Sequence, residues 1–557
     1  VSISRYAPVG SYGGAQGGSV YVRGTGESRP GSSLTVFQDD VPAVGSFFNH
    51  PIMDLNPIDF ADSIEVVKSP RPRSVPNAFS AVNLSTWRQS DEGFSGEVDT
   101  AYGRFNTLVG SMKAGVKEGA FDFAAGASYK YSEGKRKHNT AELENAFMRG
   151  GVELGEEEYL TFIYRRAQSR VEDPGAKGMP TPLRDSFETD MDSYAVRLES
   201  EREWMSGYSL VYVTDGRIRW HKDHIQDGNL NSPYGWSKTD WQTWGYRGLY
   251  DFKWEEATFS VGFDEMVERG KTRTINEKTG KTTWDPGRKY QFLTSPYFAA
   301  RYDYELDETW TLTPSAGTRY YFLDDLHGEW SPGTALTIRS EDWEFFLSYA
   351  RAVHYPGLVF RANTDAWRDI EAETMDTVTL GMKVKLHERV KVHVSAFRNE
   401  IENRFDLDQF GQYHNASELK SNGVEFSVRL TPTDNLAFYV GATYNISETH
   451  PVSRLPEATG VVGSSWRFLK YLRFEADIEY SSSMYAYTAR SENPKELSKV
   501  PCWWTANVRL ACDLKAFSPL DGEIYIAGEN VFDRDYEYFP GYEMPGAMVY
   551  AGCRWKF

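Results

Sequence analysis

Residues Ala547 to Phe557 alternate in polarity one by one. Ala547, Val549, Ala551, Cys553, Trp555 and Phe557 are apolar, whereas Met548, Tyr550, Gly552, Arg554 and Lys556 include the polar and charged positions. A period of two describes a β-strand with one apolar face and one polar face. The length matches the roughly nine to eleven residues with which a tilted strand crosses a bilayer. The sequence stops on an aromatic with no polar tail. One such strand would also fit a soluble sheet, so recurrence has to decide.

The pattern recurs. Val378, Leu380, Met382, Val384 and Leu386 alternate with Thr377, Thr379, Gly381, Lys383 and Lys385. Leu472, Phe474, Ala476, Ile478 and Tyr480 alternate with Arg473, Glu475, Asp477 and Glu479. Val424, Phe426, Val428 and Leu430 enclose Glu425, Ser427 and Arg429, and Trp504, Ala506, Val508 and Leu510 enclose Thr505, Asn507 and Arg509. A sandwich also alternates, but its strands are usually about five or six residues long. Long, repeated runs favour a membrane barrel.

Composition agrees. The 557 residues include 16 Trp, 34 Tyr and 32 Phe, enough for aromatic girdles at two membrane interfaces. Mean hydropathy is negative, and no run approaches the roughly eighteen apolar residues of a membrane helix, so helical spans are excluded while a barrel with a polar lumen is not. A net charge of -18 disfavours nucleic acid as a partner. Of the three cysteines, Cys502 and Cys512 fall too far apart on one strand to bridge, and Cys512 and Cys553 fall on strands two apart. They are read as small apolar fillers, not as a disulfide or a metal site. No signal peptide is visible before Val1-Ser2-Ile3, so a targeting segment is expected upstream.

After about Ser90, turn signals divide the chain into twenty-two expected strands. Ten short turns fall at 117–119, 155–157, 204–207, 254–256, 307–308, 340–342, 387–389, 431–435, 468–470 and 518–522. Longer connections fall near 133–140, 172–186, 221–237, 270–287, 352–372, 482–500 and 533–546. Shorter ones lie near 323–327, 404–411 and 447–455, with a tight one at 102–106. Alternation is poor around 139–153 and 323–339. Short turns on one side and long loops on the other are the asymmetry of bacterial outer-membrane barrels. An even count puts Phe557 at the periplasmic face, pairing its strand with one near Phe94 to Gly103. A lumen this wide cannot be filled by its own side chains.

The first ninety residues read differently. They are rich in Gly, Pro and Ser, with short β-like runs at Ser19–Arg23, Leu34–Gln38 and Ile64–Lys68. Five residues are too few to span a membrane. The expected architecture is therefore an all-β membrane protein: an antiparallel barrel over 91–557, with an α+β plug over 1–90 in its lumen.

The ordered motifs resemble those of the TonB-dependent outer-membrane receptors. Val20-Tyr21-Val22-Arg23-Gly24 is similar to their "Arg-Gly" plug strand, and Val36-Phe37-Gln38-Asp39-Asp40-Val41-Pro42 to their "Asp-Gly-Val-Pro" turn, with Asp40 in place of Gly. Ile64-Glu65-Val66-Val67-Lys68-Ser69-Pro70 resembles "Ile-Glu-Val-x-(Arg/Lys)-Gly-Pro", with Ser69 in place of Gly, and Val82–Thr86 the strand leaving the plug. Glu529–Tyr536 and Gly541–Gly546 resemble the last hairpin and final outer loop. Val75-Pro76 and Ser80-Ala81 stand where the family has Tyr-Gly and Gly-Gly. An aspartate at position 40 can still take a left-handed turn.

The resemblance implies a bacterial outer-membrane location, among lipid and lipopolysaccharide, and coupling to the TonB-ExbB-ExbD complex through a box expected before Val1. It also implies active uptake of a metal chelate (siderophore, haem or corrinoid), and recognition of the terminal Phe557 by the barrel-insertion machinery. A passive diffusion pore would need no plug. A receptor for a non-metal nutrient such as an oligosaccharide keeps the same architecture.

No catalytic constellation, zinc-like spacing or phosphate loop is present, so neither an enzyme nor a cofactor is expected. Candidate ligand contacts follow from topology. Phe47, Phe48, Asn49 and His50 lie between plug strands, at an apex loop that either meets ligand or packs against the wall. His221, Asp223 and His224, with Tyr234 and Trp236, open one outer loop and carry metal-ligand chemistry, with a solvated loop as the competing reading. His354 and Tyr355 open another that carries Trp367. Arg473, Glu475, Asp477 and Glu479 are expected to bond the plug or line water.

Overall fold

The structure, a computed structural model, describes residues 2–4, 9–10, 19–23, 33–177, 186–221, 235–276, 279–364, 366–407, 413–416, 418–448, 454–487 and 497–557. Twenty-two antiparallel strands close into one barrel. The first nine are β1 (Gly93–Gly103), β2 (Thr107–Glu118), β3 (Phe121–Ser132), β4 (Ala141–Glu153), β5 (Glu158–Glu172), β6 (Ser186–Glu201), β7 (Met205–His221), β8 (Gly235–Trp254) and β9 (Ala257–Asn276). The next seven are β10 (Arg288–Tyr302), β11 (Thr311–Leu323), β12 (Glu329–Arg339), β13 (Trp343–His354), β14 (Glu373–His387), β15 (Val390–Glu402) and β16 (Leu419–Thr433). The last six are β17 (Leu436–Ser447), β18 (Ala458–Leu469), β19 (Leu472–Ser481), β20 (Trp503–Asp513), β21 (Asp521–Glu529) and β22 (Met548–Lys556).

Alternation sets which face each side chain takes. Leu380, Ile478, Leu510, Val549 and Trp555 are exposed on the outer wall. Aromatic pairs ring the short-turn end: Trp204 with Phe252, Trp343 with Phe345, Trp466 with Phe468, and Trp555 with Phe557. Such a girdle belongs at a membrane interface, where an aromatic can bury its ring and wet its edge. β22 closes on β1, from Lys556 opposite Glu97 to Tyr550 opposite Gly103. Phe557 extends the seam, its N–H donating to Gly96 O at 3.0 Å and its carbonyl accepting from Gly96 N at 2.7 Å. The weakly alternating segments 139–153 and 323–339 are barrel strands after all, β4 and β12.

One expected turn moves. The connection placed at 204–207 lies at 202–204, because Gly207 is already paired, opposite Tyr250. A Cβ there would come within 2.2 Å of Leu249 O and 2.6 Å of the Tyr250 ring, so this glycine serves a close approach within the sheet.

Inside lies a four-stranded sheet in the order Val41–Pro42, Leu34–Gln38, Ser80–Thr86, Ala61–Val67. Phe37 pairs with Pro42 and Gln38 with Val41 across a two-residue turn. Asp39 (φ 49°) and Asp40 (φ 65°) both sit in the left-handed region that such a hairpin turn requires. Aspartate thus fills the place of the family's glycine. Val20, Val22, Leu34, Val36 and Leu84 form one apolar cluster of this sheet, and Phe37, Val67, Val75, Ala78 and Ala81 another. The helical element among the described residues of this segment is a 3-10 turn, Met53–Leu55.

Candidate functional site

Polar groups hold the plug to the wall at several heights. Arg23 is buried and bonds Glu425 on β16 at 2.7 Å, while Lys68 reaches the other oxygen of Glu425 at 3.2 Å. Arg23 also donates to Ser69 Oγ at 2.6 Å, lies 4.5 Å over the Phe397 ring, and gives its carbonyl to Asn399 Nδ2 at 3.1 Å. Ser69, a departure from the family motif, therefore has a role as acceptor. Asp39 pairs with Arg165 and accepts from Thr86 N at 2.8 Å; Asp40 pairs with Arg197. Arg247 donates to the Asp40 and Ser74 carbonyls at 2.7 and 2.9 Å, and Arg319 to those of Pro72 and Arg73 at 2.5 and 3.0 Å. Between these two arginines Asp264 accepts from both. Glu65 is exposed and bonds Asn83 at 2.9 Å and Arg71 at 2.8 Å; the Asn83 amide and then Arg71 hold its carboxyl below the usual range.

The plug apex is roofed. Phe47 is fully buried, and its carbonyl accepts from Val359 N at 2.8 Å. Phe48 meets Phe47 edge-on and stacks on His50 at 5.8 Å. Asn49 (φ 51°) lies 3.0 Å from His354 Nε2 through its amide nitrogen and donates to Tyr355 O at 2.9 Å. His354 Nδ1 pairs with buried Glu373 at 2.6 Å. Tyr355 donates its N–H to Asn77 Oδ1 at 2.6 Å and its hydroxyl to His327 O at 2.7 Å; burial pushes its phenol up. The roof itself is helix α1 (Leu358–Asn363), whose Phe360 stacks on Tyr413 at 4.1 Å and meets Phe405 at 4.7 Å. Gly357 makes the contact possible, since a Cβ there would lie 2.8 Å from Asn49 Cβ.

The structure thus brings together Phe47, Phe48, Asn49, His50, His354 and Tyr355, which are distant in sequence. It does not bring the other expected cluster to them. His221 pairs with Glu188 at 3.2 Å on the outer wall, sharing the facing of Arg217 and Arg219, and Trp236 meets Arg273 at 5.9 Å on that same wall. Asp223, His224 and Tyr234 lie outside the described residues. Trp367 is covered by Arg361 at 4.1 Å and Arg368 at 4.5 Å. Among the described residues no group of three or more His, Cys, Asp or Glu side chains could hold a metal ion.

A cavity of about 760 Å³ opens between the plug and β15–β22. Lys68, His393 and Glu425 line its floor; Ser427, Thr443, Thr459, Glu479, Thr505, Asn507 and Glu529 line its wall. Its roof is the 533–546 loop with Trp503, where Tyr536 and Tyr538 pack 5.0 and 5.4 Å from the indole. The loop is pinned by Asn530, which both donates to Arg534 O and accepts from Arg534 N, and by Asp533, which accepts from Ala547 N at 2.7 Å. A Cβ on Gly546 would lie 2.0 Å from that Asp533 carboxylate. Arg473, Glu475 and Asp477, expected to bond the plug or line water, bond other wall residues: Arg473 bonds Glu523 two strands away at 2.9 Å, and across to β20 Glu475 bonds Arg509 at 3.1 Å and Asp477 bonds Asn507 at 2.8 Å. An inward carboxylate near an inward arginine one strand away satisfies itself locally before it can reach the plug.

A family model described as TonB dependent receptor-like, beta-barrel, matches residues 77–531. The chain belongs to the TonB-dependent receptor family. Solved structures with the same fold include the siderophore receptor PirA from Acinetobacter baumannii, at 14% identity and a TM-score of 0.80, covering 100% of this chain and 94% of that one. The copper transporter OprC matches at 11% identity and 0.80, covering 100% and 93%. The FrpB iron transporter from Neisseria meningitidis matches at 15% identity and 0.79, covering 100% and 95%.

As a TonB-dependent receptor the protein resides in the outer membrane. Its short turns then face the periplasm, its roofed apex faces outward, and the cavity runs beside the plug between them. Sequence reading missed Glu425, Arg165, Arg197, Arg247 and Arg319 as the wall's half of the plug contact. The available signal was an arginine or glutamate on the inward parity of an otherwise Ser-, Thr- and Gly-rich strand face. His221 could have been placed by the same counting, since it continues the outward series Val211, Val213, Asp215, Arg217, Arg219.

Proposed function

We propose that this receptor captures a metal chelate (a siderophore, haem or corrinoid complex) at the outer face and releases it inward when the TonB-ExbB-ExbD complex displaces the plug. The observation that carries this reading is a folded plug held to the wall by ion pairs beside a partly open cavity. A passive pore has no use for such a latch. Similar structures named for a siderophore, copper and iron support metal as the cargo's common element. On this reading Trp503, Tyr536 and Tyr538 of the cavity roof make the first contacts, the apex residues Phe48 and His50 follow beneath α1, and His354 and Tyr355 respond to them. Ala61–Val67 is an edge strand with Ile64 half exposed, and such an edge can accept an added strand from a partner.

The hydroxyl-rich wall under an aromatic roof also suits an oligosaccharide, and one experiment separates the two. Native mass spectrometry of the purified protein against ferric hydroxamate, ferric citrate, haem, cobalamin and a maltooligosaccharide should show a retained chelate. Uptake of that chelate should vanish without TonB. Retention of the sugar alone would overturn the metal assignment, and TonB-independent entry with steady conductance would overturn active transport.

A further inference from the structure

The plug sheet crosses the lumen as a chord. At one end of its last strand, Ala61–Val67, Asp59 bonds Lys130 of β3 at 2.7 Å and Phe60 meets Phe147 of β4 at 4.7 Å. At the other end Lys68 reaches Glu425 of β16, and Ser69 Oγ lies 3.4 Å from Thr379 Oγ1 of β14. The opposite edge of the sheet is packed, with Val41 in one apolar cluster with Ile163 of β5 and Leu210 and Tyr212 of β7. The edge formed by Ala61–Val67 therefore faces the remaining arc of wall, β17–β22 and β1. Ile64 and Glu65 on it are each about half exposed, so a gap separates plug from wall there.

The wall across the gap is shaped to leave it open. Tyr439 of β17 lies against Gly463 of β18, where a Cβ would fall 2.2 Å from its ring, and Tyr525 of β21 lies against Gly552 of β22, where a Cβ would fall 2.4 Å away. A glycine in the neighbouring strand lets each ring lie along the wall instead of standing into the lumen. The charges on this arc are also met within it: Arg473 bonds Glu523, Arg509 bonds Glu475, and Arg554 bonds Asp99. Two cavities lie along the arc. The cavity beside the plug reaches down β20 to Asn507, and a second, of about 240 Å³, is lined by Arg473, Ala511, Glu523 and Arg554 at the periplasmic end. Between Asn507 and Ala511 the inward residue is Arg509, bonded to Glu475 and Glu523 and 4.3 Å over the Tyr525 ring. One layer of side chains thus parts the two cavities.

We propose that cargo descends along the β17–β22 arc, through a gate formed by Arg509 and Tyr525, while the plug sheet stays folded against β5–β8. The inference rests on the transport reading above and adds its route. Energetics favour this side. Arg509, Glu475 and Glu523 are partly exposed, and ion pairs in contact with water are cheap to exchange. Releasing the packed edge would instead expose the Val41 cluster and break the buried pair of Asp39 and Arg165. The chord then has to yield only at its β16 end.

A first test needs no cargo. Ser427→Cys places a thiol in the upper cavity, in a chain with Cys502, Cys512 and Cys553 replaced by alanine. A small charged maleimide is then supplied to vesicles from the periplasmic side only. Adding Arg509→Ala and Tyr525→Ala should speed labelling at least about tenfold, the equivalent of 1.4 kcal/mol of lost closure. Plug deuterium exchange and heat-modifiable mobility should stay as they were. An unchanged rate would overturn the gate, and faster labelling matched by lost plug protection would overturn the folded plug. The second test is uptake of ferric hydroxamate, ferric citrate, haem and cobalamin. A thiol crosslink between Val41→Cys and Leu210→Cys should leave TonB-dependent uptake in place, and Ser465→Trp, opposite Glu475 on the arc, should abolish it. Uptake lost on crosslinking, or kept in the Ser465→Trp protein, would overturn the route. Uptake of none of the four by the unmodified protein would count against the transport reading alone, and the labelling rate would still decide the path.

Discussion

Glu425→Gln tests whether the plug is latched to the wall. The substitution keeps size and one acceptor but removes the charge facing Arg23 and Lys68. Arg23 and Glu425 are both almost fully buried, at 5% and 6% side-chain exposure, and losing one partner of a buried pair costs about 3–5 kcal/mol. Lys68 is 35% exposed, so its share is screened and adds little. The lower figure, about 3 kcal/mol, corresponds to plug opening roughly a hundredfold more often. Deuterium-exchange mass spectrometry reads this directly at residues 20–23 and 66–68, where protection should fall while β16 keeps its own. Glu475→Gln serves as the control, because Glu475 pairs with Arg473 and Arg509 on the wall. Equal protection of the plug in the Glu425→Gln protein and the wild type would refute the latch. So would an equal loss in the Glu475→Gln control.

Gly357→Val should unseat α1 from the apex, because its side chain would start 2.8 Å from Asn49 Cβ; limited proteolysis should then cut within 355–372 at least about tenfold faster, the equivalent of 1.4 kcal/mol. Glu543 pairs with Lys177 across two outer loops, and Lys177 holds its carboxyl below the ordinary range. That tether is fully formed above the ordinary carboxylate value and is lost as pH falls through the lowered one. A spin-label distance between the two loops should therefore lengthen and broaden only in acid, and a change near neutrality would contradict it. Gly96→Leu should weaken barrel closure, since a Cβ there would lie 2.4 Å from the Phe557 ring; heat-modifiable mobility should appear more slowly on refolding than in the wild type.

Strand number and closure were legible because period-two alternation survives wherever one face meets lipid. It faded in β4, where Gly150 and Gly151 stand together and leave both faces without a side chain. It misled at His221 and Trp236 for a different reason. β7 and β8 run to 17 and 20 residues, longer than a membrane crossing needs, and in their upper halves the polarity inverts, with the charges outward and Ile218 and Trp241 buried inward. A strand that continues beyond the bilayer no longer shows an apolar outward set, so its pattern resembles that of a polar loop. The apex was legible only in part. Phe47 to His50 could be placed at a tip, but what covers them comes from α1, more than three hundred residues later, and no local pattern reports such a contact. Arg473 and Glu475 show the limit on the inner face, where parity gives direction but not the partner.

The seam between β22 and β1 carries a consequence for assembly. Every other neighbouring pair of barrel strands is consecutive in the chain, so their pairing can proceed as local hairpins at low loop-closure cost. This single pairing joins the two ends of the barrel sequence and therefore dominates contact order and folding time. Until it forms, two unsatisfied edges stand open to each other and to any foreign strand. The plug precedes β1, and its contacts reach β5, β6, β8, β11 and β16 around the circumference. It can acquire all of them together only once the curved sheet has become a ring. Shutting that seam is thus also the event that gives the plug its complete binding partner, and a defect at Gly96 should be felt far away, as a poorly seated Arg23.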